Sequence, residues 1–232
     1  MNDEERKIEE QAFQWIKKHR KELLKQFADF ETYQTDELPT TIFMAGSPGA
    51  GKTEFSRRLS EIFKQKPIII DADEIRKVIE GYSGEKAYLF QKEATKGVNM
   101  LYDETCRKGF NIIMDGTFAY GNALENINHS LKHNRNVEIY FLYQDPLLSW
   151  EFTKQRELKE FRNVPKEVFI NAYFKSLENA NKAKKEFGNK IKLNLVIKDF
   201  DKGFNSLELN KEGLEIFLPK TYNKEDLERI LI

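Results

Sequence analysis

The stretch Phe43-Met44-Ala45-Gly46-Ser47-Pro48-Gly49-Ala50-Gly51-Lys52-Thr53 constrains this chain more than any other. It runs from an apolar strand into a glycine-rich turn, then into a lysine and a threonine that open a helix. Gly46, Gly51, Lys52 and Thr53 thus satisfy G-x-x-x-x-G-K-[ST] between the elements that pattern requires. Backbone N–H groups of Gly46, Ser47, Pro48, Gly49, Ala50 and Gly51 (Pro48 excepted, which has none) can turn inward around phosphate oxygens, and the helix start adds its positive dipole end. Lys52 is placed for the β- and γ-phosphates, and the Thr53 hydroxyl for Mg2+. A merely tight turn has no use for the extra glycines or for a lysine at the helix mouth. The expected ligand is a nucleoside triphosphate.

Guanine is not the expected base. Asn223-Lys224-Glu225-Asp226 matches NKxD on paper, but it lies near the C-terminus, where Asn223 serves equally well as a helix cap. No DxxG closes a strand.

Around the loop, apolar runs alternate with helical stretches. Strands are predicted at TTIFMAG, PIIID (67–71), NIIMD (111–115), VEIYFLY (137–143) and KLNLVIK (192–198). Such continuous apolar runs suit strands buried on both faces. Helices are predicted over 52–63, 73–80, about 85–108, 120–134 and 146–187, the last broken near Val164-Pro165. The alternation predicts an α/β fold: a P-loop kinase-like parallel sheet of about five strands flanked by helices. Residues 199–218 read as a turn and short strands, followed by a helix from about Asn223. Ahead of the sheet, residues 3–30 read as one charged amphipathic helix, with Ile8, Ala12, Trp15, Ile16, Leu23, Leu24 and Phe27 near the helical period. The division expected is an N-terminal extension, 1–36, and a kinase domain, 37–232. The extension reads as a helix docked on that domain, with a surface shared with a partner as the sharper alternative.

Composition narrows the function. Lys+Arg and Asp+Glu both number 38, so no global field favours nucleic acid or an anionic membrane. The single cysteine, Cys106, excludes an intramolecular disulfide and reads as a packing residue in a helix. The opening MNDEERKIEE has no apolar core of a secretory signal, and no apolar run approaches the roughly 18 residues of a membrane span. The expected compartment is the cytoplasm.

Two acids close strands beside the loop. IIIDADEIRK ends its strand at Asp71 and places Asp73 at or just before the next helix. One of the pair could hold Mg2+ through water while the other takes a proton from an acceptor hydroxyl. The plainer reading of Asp73 is a helix cap, with Glu74 and Arg76 on the surface. NIIMDGTF repeats the arrangement with Asp115, Gly116 and Thr117, and two strand-end acids are hard to explain as two caps. Further on, Lys154, Arg156, Lys159 and Arg162 form a positive segment in YQDPLLSWEFTKQRELKEFRNVP. It reads as a lid whose arginines offset charge on a transferred phosphoryl group. Glu151, Glu157 and Glu160 could instead make it an ordinary helix surface.

These elements, in this order, resemble the zeta toxins, P-loop kinases of bacterial toxin–antitoxin systems, over roughly residues 40–190. The resemblance rests on the P-loop and on hydrophobic-D-x-D, with Asp73 lying 21 residues after Lys52. It continues through Gly109-Phe110-Asn111 to Asp115-Gly116-Thr117, a strand ending before x-x-P, a helix carrying Arg156, and R-x-x-P at Arg162 and Pro165. The likeness is to short, chromosomally encoded members.

The resemblance implies ATP- and Mg2+-dependent phosphorylation of a sugar hydroxyl of UDP-N-acetylglucosamine, acting as a toxin restrained by an antitoxin protein. Carried over by motif, Lys52 and Thr53 bind ATP and Mg2+, and Asp73 is the general base. Asp115 stands near the metal and phosphates, Thr117 lines the site, and Arg156 and Arg162 steady the γ-phosphate. The departures lie on the acceptor side. Ile79-Glu80 stands where the family often has His-Pro, and Asn99 where a sugar-contacting glutamate is often found. The insert GYSGEKAYLFQKEATKG is the candidate pocket lining. Other acceptors therefore stay open (a different nucleotide, a dinucleotide cofactor or a nucleic-acid end), as does a non-catalytic ATP-binding switch.

Overall fold

The computed structural model describes residues 2–199 and 203–231. The apolar runs form β1 (Thr40–Ala45), β2 (Ile68–Asp71), β3 (Ile112–Asp115), β4 (Asn136–Tyr143) and β5 (Ile191–Asp199), and β6 (Gly203–Glu208) adds an edge. They make one sheet in the order β2-β3-β1-β4-β5-β6. The first five strands are mutually parallel and β6 pairs antiparallel with β5. The predicted parallel five is present, and the tail contributes a single antiparallel edge strand. Of the turn and short strands predicted over 199–218, residues 200–202 lie outside the described residues.

Side chains alternate across the pleat, and both faces are covered. Phe43, Ala45, Ile68, Ile70, Ile112, Met114, Ile139 and Phe141 point into the larger core. Covering that face are α1 (Asp3–Lys18), α2 (Arg20–Phe27), α4 (Ala72–Lys77), α5 (Gln91–Lys108), α6 (Ala123–Lys132) and α8 (Lys166–Phe187). Ile42, Met44, Ile113, Tyr140 and Leu142 face the other way and meet Ala50, Phe55 and Leu59 around α3 (Lys52–Glu61). A third cluster joins α7 (Pro146–Glu160) to α8 and α9 (Lys224–Ile230) through Trp150, Phe169, Tyr173 and Leu227. Cys106 is buried in the large core, where burial pushes its thiol up.

The N-terminal segment departs from the predicted single helix. It breaks at His19, whose ring nitrogen hydrogen-bonds the Trp15 carbonyl at 2.8 Å while the two rings stack. That side chain ends α1, and α2 restarts from the His19 carbonyl. Ala12, Ile16 and Leu23 are fully or nearly buried in the same core as the sheet. The predicted helix 73–80 is also shorter, stopping at Lys77, and residues 87–90 form a 3-10 turn ahead of α5. The break near Val164-Pro165 is present, with Pro165 as the α8 N-cap. Asn223 caps α9, its side chain accepting from the Asp226 N–H, which accounts for the NKxD coincidence.

Candidate active site

Parallel strands place their carboxyl ends on one rim, and the candidate residues gather there. β1 ends at Ala45, and the chain turns through Gly46 (φ 128°) and Gly49 (φ 77°) into α3. Both glycines are required twice over. The positive φ suits only glycine, and a Cβ would collide with the Leu142 carbonyl at Gly46 or with the Ser149 carbonyl at Gly49. The Gly46 N–H donates to Ser176 Oγ (2.6 Å) and to the Thr117 carbonyl (3.3 Å). Thr117 thus meets the loop through its backbone. Ser176, deep in α8, is a support for which the sequence carried no separate signal.

Lys52 is buried and folds back on its own loop, donating to the Ser47 carbonyl (2.6 Å) and the Gly46 carbonyl (3.1 Å). Burial lowers its pKa to about 8, a shift opposed by Asp115 and Asp73. Asp115 is buried at the end of β3, in register with Asp71 at the end of β2. Burial pushes the Asp115 carboxyl up, and Lys52 and the Thr53 hydroxyl pull against that. Its Oδ2 has no hydrogen-bond partner. An orphaned carboxylate oxygen beside a helix-start threonine fits Mg2+, which takes one or two protein oxygens and completes its shell with phosphates and water. Among the described residues no three-residue His/Cys/Asp/Glu cluster could hold a metal by itself.

Asp71 and Asp73 divide two duties. The Asp71 side chain caps α4 by accepting from the Asp73 N–H (2.8 Å). Burial, then the charges of Asp73 and Asp115, push Asp71 up to about 7. The capping alternative for Asp73 is therefore corrected: its carboxylate is free of that task and meets three arginines. Arg162 pairs with it directly, Arg76 Nη1 lies at 3.3 Å and Arg156 Nη2 at 3.6 Å. Burial pushes Asp73 up, but Arg162, Arg76 and Arg156 outweigh it and hold the carboxyl below its ordinary value.

Arg156 comes from α7, where Asp145 caps the start and Pro146 takes the first turn; Arg162 comes from the link to α8. The predicted pairing with helix acids is partial. Glu160 takes Arg156 (2.9 Å) and Glu157 takes Lys154 (2.9 Å). Arg76, read from sequence as surface, is only 2% exposed and bonds both Asp73 and Gln91, the first residue of α5. Its spacing of three from Asp73, one helical turn on one face, was the available signal. Asn99 is not brought into this group: it is exposed on α5.

A glycine-rich loop with a buried lysine, two strand-end acids and an arginine-bearing helix on a mostly parallel sheet have the form of a P-loop kinase-like fold. Residues 24–207 match the family model of the zeta toxins, and the chain belongs to that family. Comparison with curated proteins gives no match. Among solved structures, the chain is similar to the PezAT chromosomal toxin–antitoxin system of the human pathogen Streptococcus pneumoniae. That likeness has 16% identity and a TM-score of 0.61, over 100% of this chain and 88% of that one. It is also similar to the AvrRxo1-ORF1:-ORF2 assembly crystallised with ATP, at 14% identity and a TM-score of 0.59, over 94% and 72%. The Pnkp1/Rnl/Hen1 RNA repair complex matches at 16% and 0.50, over 66% and 48%. At these identities the likenesses concern the fold. No helix among the described residues is long and apolar enough to cross a membrane.

Proposed function

We propose that this chain is an ATP-dependent kinase that moves the γ-phosphoryl group to a hydroxyl of UDP-N-acetylglucosamine or a related nucleotide sugar. The observation that carries the reading is the convergence on Asp73 of two lid arginines, within one rim that also holds Lys52 and Asp115. A solvated helix surface has no reason to direct Arg156 and Arg162 at a carboxylate on another element.

In this reading the loop from Gly46 to Gly51 wraps the β-phosphate, and Lys52 exchanges its loop carbonyls for phosphate oxygens. Thr53 and Asp115 hold Mg2+, which neutralises charge on the β- and γ-phosphates when bound. Asp73 accepts the proton of the acceptor hydroxyl as that oxygen bonds to Pγ. The bond from Pγ to the β–γ bridging oxygen breaks, and ADP leaves with the electron pair. Arg156 and Arg162 balance charge on the equatorial oxygens. Thr117 stays at the site as a backbone support of the loop.

The toxin–antitoxin relative and the two-component AvrRxo1 assembly support a protein partner that restrains the kinase, and the ATP in the latter supports the choice of nucleotide. A panel of nucleotide sugars, nucleosides, dinucleotides and oligonucleotides, incubated with Mg2+ and ATP and weighed by mass spectrometry, tests the acceptor. Phosphate on UDP-N-acetylglucosamine is expected. Phosphate only on an oligonucleotide end or a dinucleotide would replace that acceptor and keep the kinase.

A further inference from the structure

Asp73 is held by three arginines that differ in how they are themselves held. Arg156 is 48% exposed on α7 and shares itself with Glu160; Arg162 is 25% exposed in the link between α7 and α8. Arg76 is 2% exposed, stands on the same short helix as Asp73, and has its far side tied to Gln91. Gln91 opens α5, and α5 is locked against α4 where Gly97 meets Ile75 so closely that an added Cβ would lie 2.8 Å from Ile75 Cγ2.

The segment between Arg76 and Gln91 is fastened at its outer end too. Tyr88 donates to Glu5 at 2.6 Å, and Lys86 pairs with Glu4 at 3.4 Å, both on α1. The three arginines are therefore held differently: Arg156 and Arg162 stand partly exposed on α7 and in the link after it, whereas Arg76 is buried between α4 and the start of α5. A buried guanidinium is costly to keep unless its contacts do something that an apolar side chain could not.

We propose that Arg76 is the fixed positioning residue of this site. It keeps the Asp73 carboxylate aimed at the acceptor hydroxyl, with Gln91 as its support, while Arg156 and Arg162 leave Asp73 for the γ-phosphate when ATP binds. The proposal rests on the reading of Asp73 as the base. It adds a residue that touches neither nucleotide nor acceptor, and a hand-over of the lid arginines. Bidentate-capable guanidinium groups suit both partners, since carboxylate and phosphate present similar oxygen pairs.

The direct test needs no acceptor. Protein labelled with 15N-arginine is titrated with Mg2+ and a non-hydrolysable ATP analogue, and guanidinium Nε signals are assigned from Arg76→Lys, Arg156→Lys and Arg162→Lys. The Arg156 and Arg162 signals are expected to move on binding while that of Arg76 stays in place. Movement of Arg76 as large as that of the lid arginines overturns the proposal.

Kinetics add a second readout, with UDP-N-acetylglucosamine or the acceptor identified in the panel. Arg76→Met is expected to lower kcat about 100-fold, the scale of a small misplacement of a reacting group, with the Kd of the ATP analogue changed less than about threefold. Arg76→Lys should recover part of that loss, and Gln91→Leu should lower kcat roughly tenfold. Equal loss in Arg76→Met and Arg76→Lys, with analogue binding weakened in step, would mean a merely structural residue and overturn the proposal. Full activity of Asp73→Asn would instead remove the base, which is the failure of the underlying reading, whatever Arg76 does.

Discussion

The Asp73 N–H donates to the Asp71 carboxylate at 2.8 Å, so two acids separated by one residue hold different posts at the mouth of α4. Asp71 serves the backbone, and Asp73 faces arginines. The division also sets opposite charge preferences, because burial and two neighbouring acids push Asp71 up to about 7 while Arg162 and its companions hold Asp73 down.

That contrast predicts a pH dependence of stability. A carboxyl whose pKa is raised on folding contributes most below its unfolded value, near 3.8, and loses that contribution as pH rises through about 7. Asp71→Asn keeps an oxygen for the cap and cannot ionise. The stability of the wild-type protein relative to this variant should therefore fall between pH 4.5 and 8 in urea melts. A difference that is flat with pH would show that Asp71 is not strained by its neighbours.

Lys52 gives a second, independent titration. Burial has lowered it to about 8, so part of the population is neutral in mildly alkaline solution. Bound phosphates favour the charged form, and binding of an ATP analogue at pH 8 to 8.5 should take up a fraction of a proton. Calorimetry in buffers of different ionisation enthalpy reads this directly, and Lys52→Met should abolish it. Uptake that persists in the variant would assign it to another group.

The ion pairs on Asp73 compete with nucleotide in the proposed account. Asp73→Asn releases Arg156 and Arg162, so the analogue should bind roughly 2- to 10-fold more tightly, the scale of one or two partly exposed ion pairs. Unchanged or weaker binding would contradict the hand-over.

In the proposed account the end of the arginine-bearing helix rests on the 78–90 segment, and that seat has a steric signature. An added Cβ at Gly84 would overlap the Glu160 carbonyl and press on Phe161, where α7 ends. Gly84→Val should hold the lid end off its seat and lower kcat by roughly 10- to 100-fold. Its melting temperature should stay close to that of the wild type, because the residue lies outside the core. Wild-type turnover in this variant would mean that the lid works without touching the 78–90 segment.

Much of this site was legible before the fold was in view. The P-loop, the acids at Asp71, Asp73 and Asp115, and Arg156 each stand at a strand end or helix position that the apolar pattern already located, and Arg162 stands in the predicted break before Pro165. Arg76 was not legible, because a charged residue on a short helix reads as surface unless the element packed over it is known, and here that cover comes from α5 and the 78–90 segment. The break at His19 was hidden for a similar reason. The apolar period runs on through it, and only the ring contact with the Trp15 carbonyl ends the first helix. Ser176 reaches the loop across 130 residues of sequence, a distance no local pattern carries.

The most direct test of the central claim is a rapid-quench measurement of phosphoryl transfer from Mg2+-bound ATP to UDP-N-acetylglucosamine, with the wild-type protein and Asp73→Asn side by side. The account predicts one phosphate added to the sugar nucleotide by the wild type, and a rate about 100- to 10,000-fold lower in the variant, the range of a lost general base. Transfer by Asp73→Asn at the wild-type rate would contradict it.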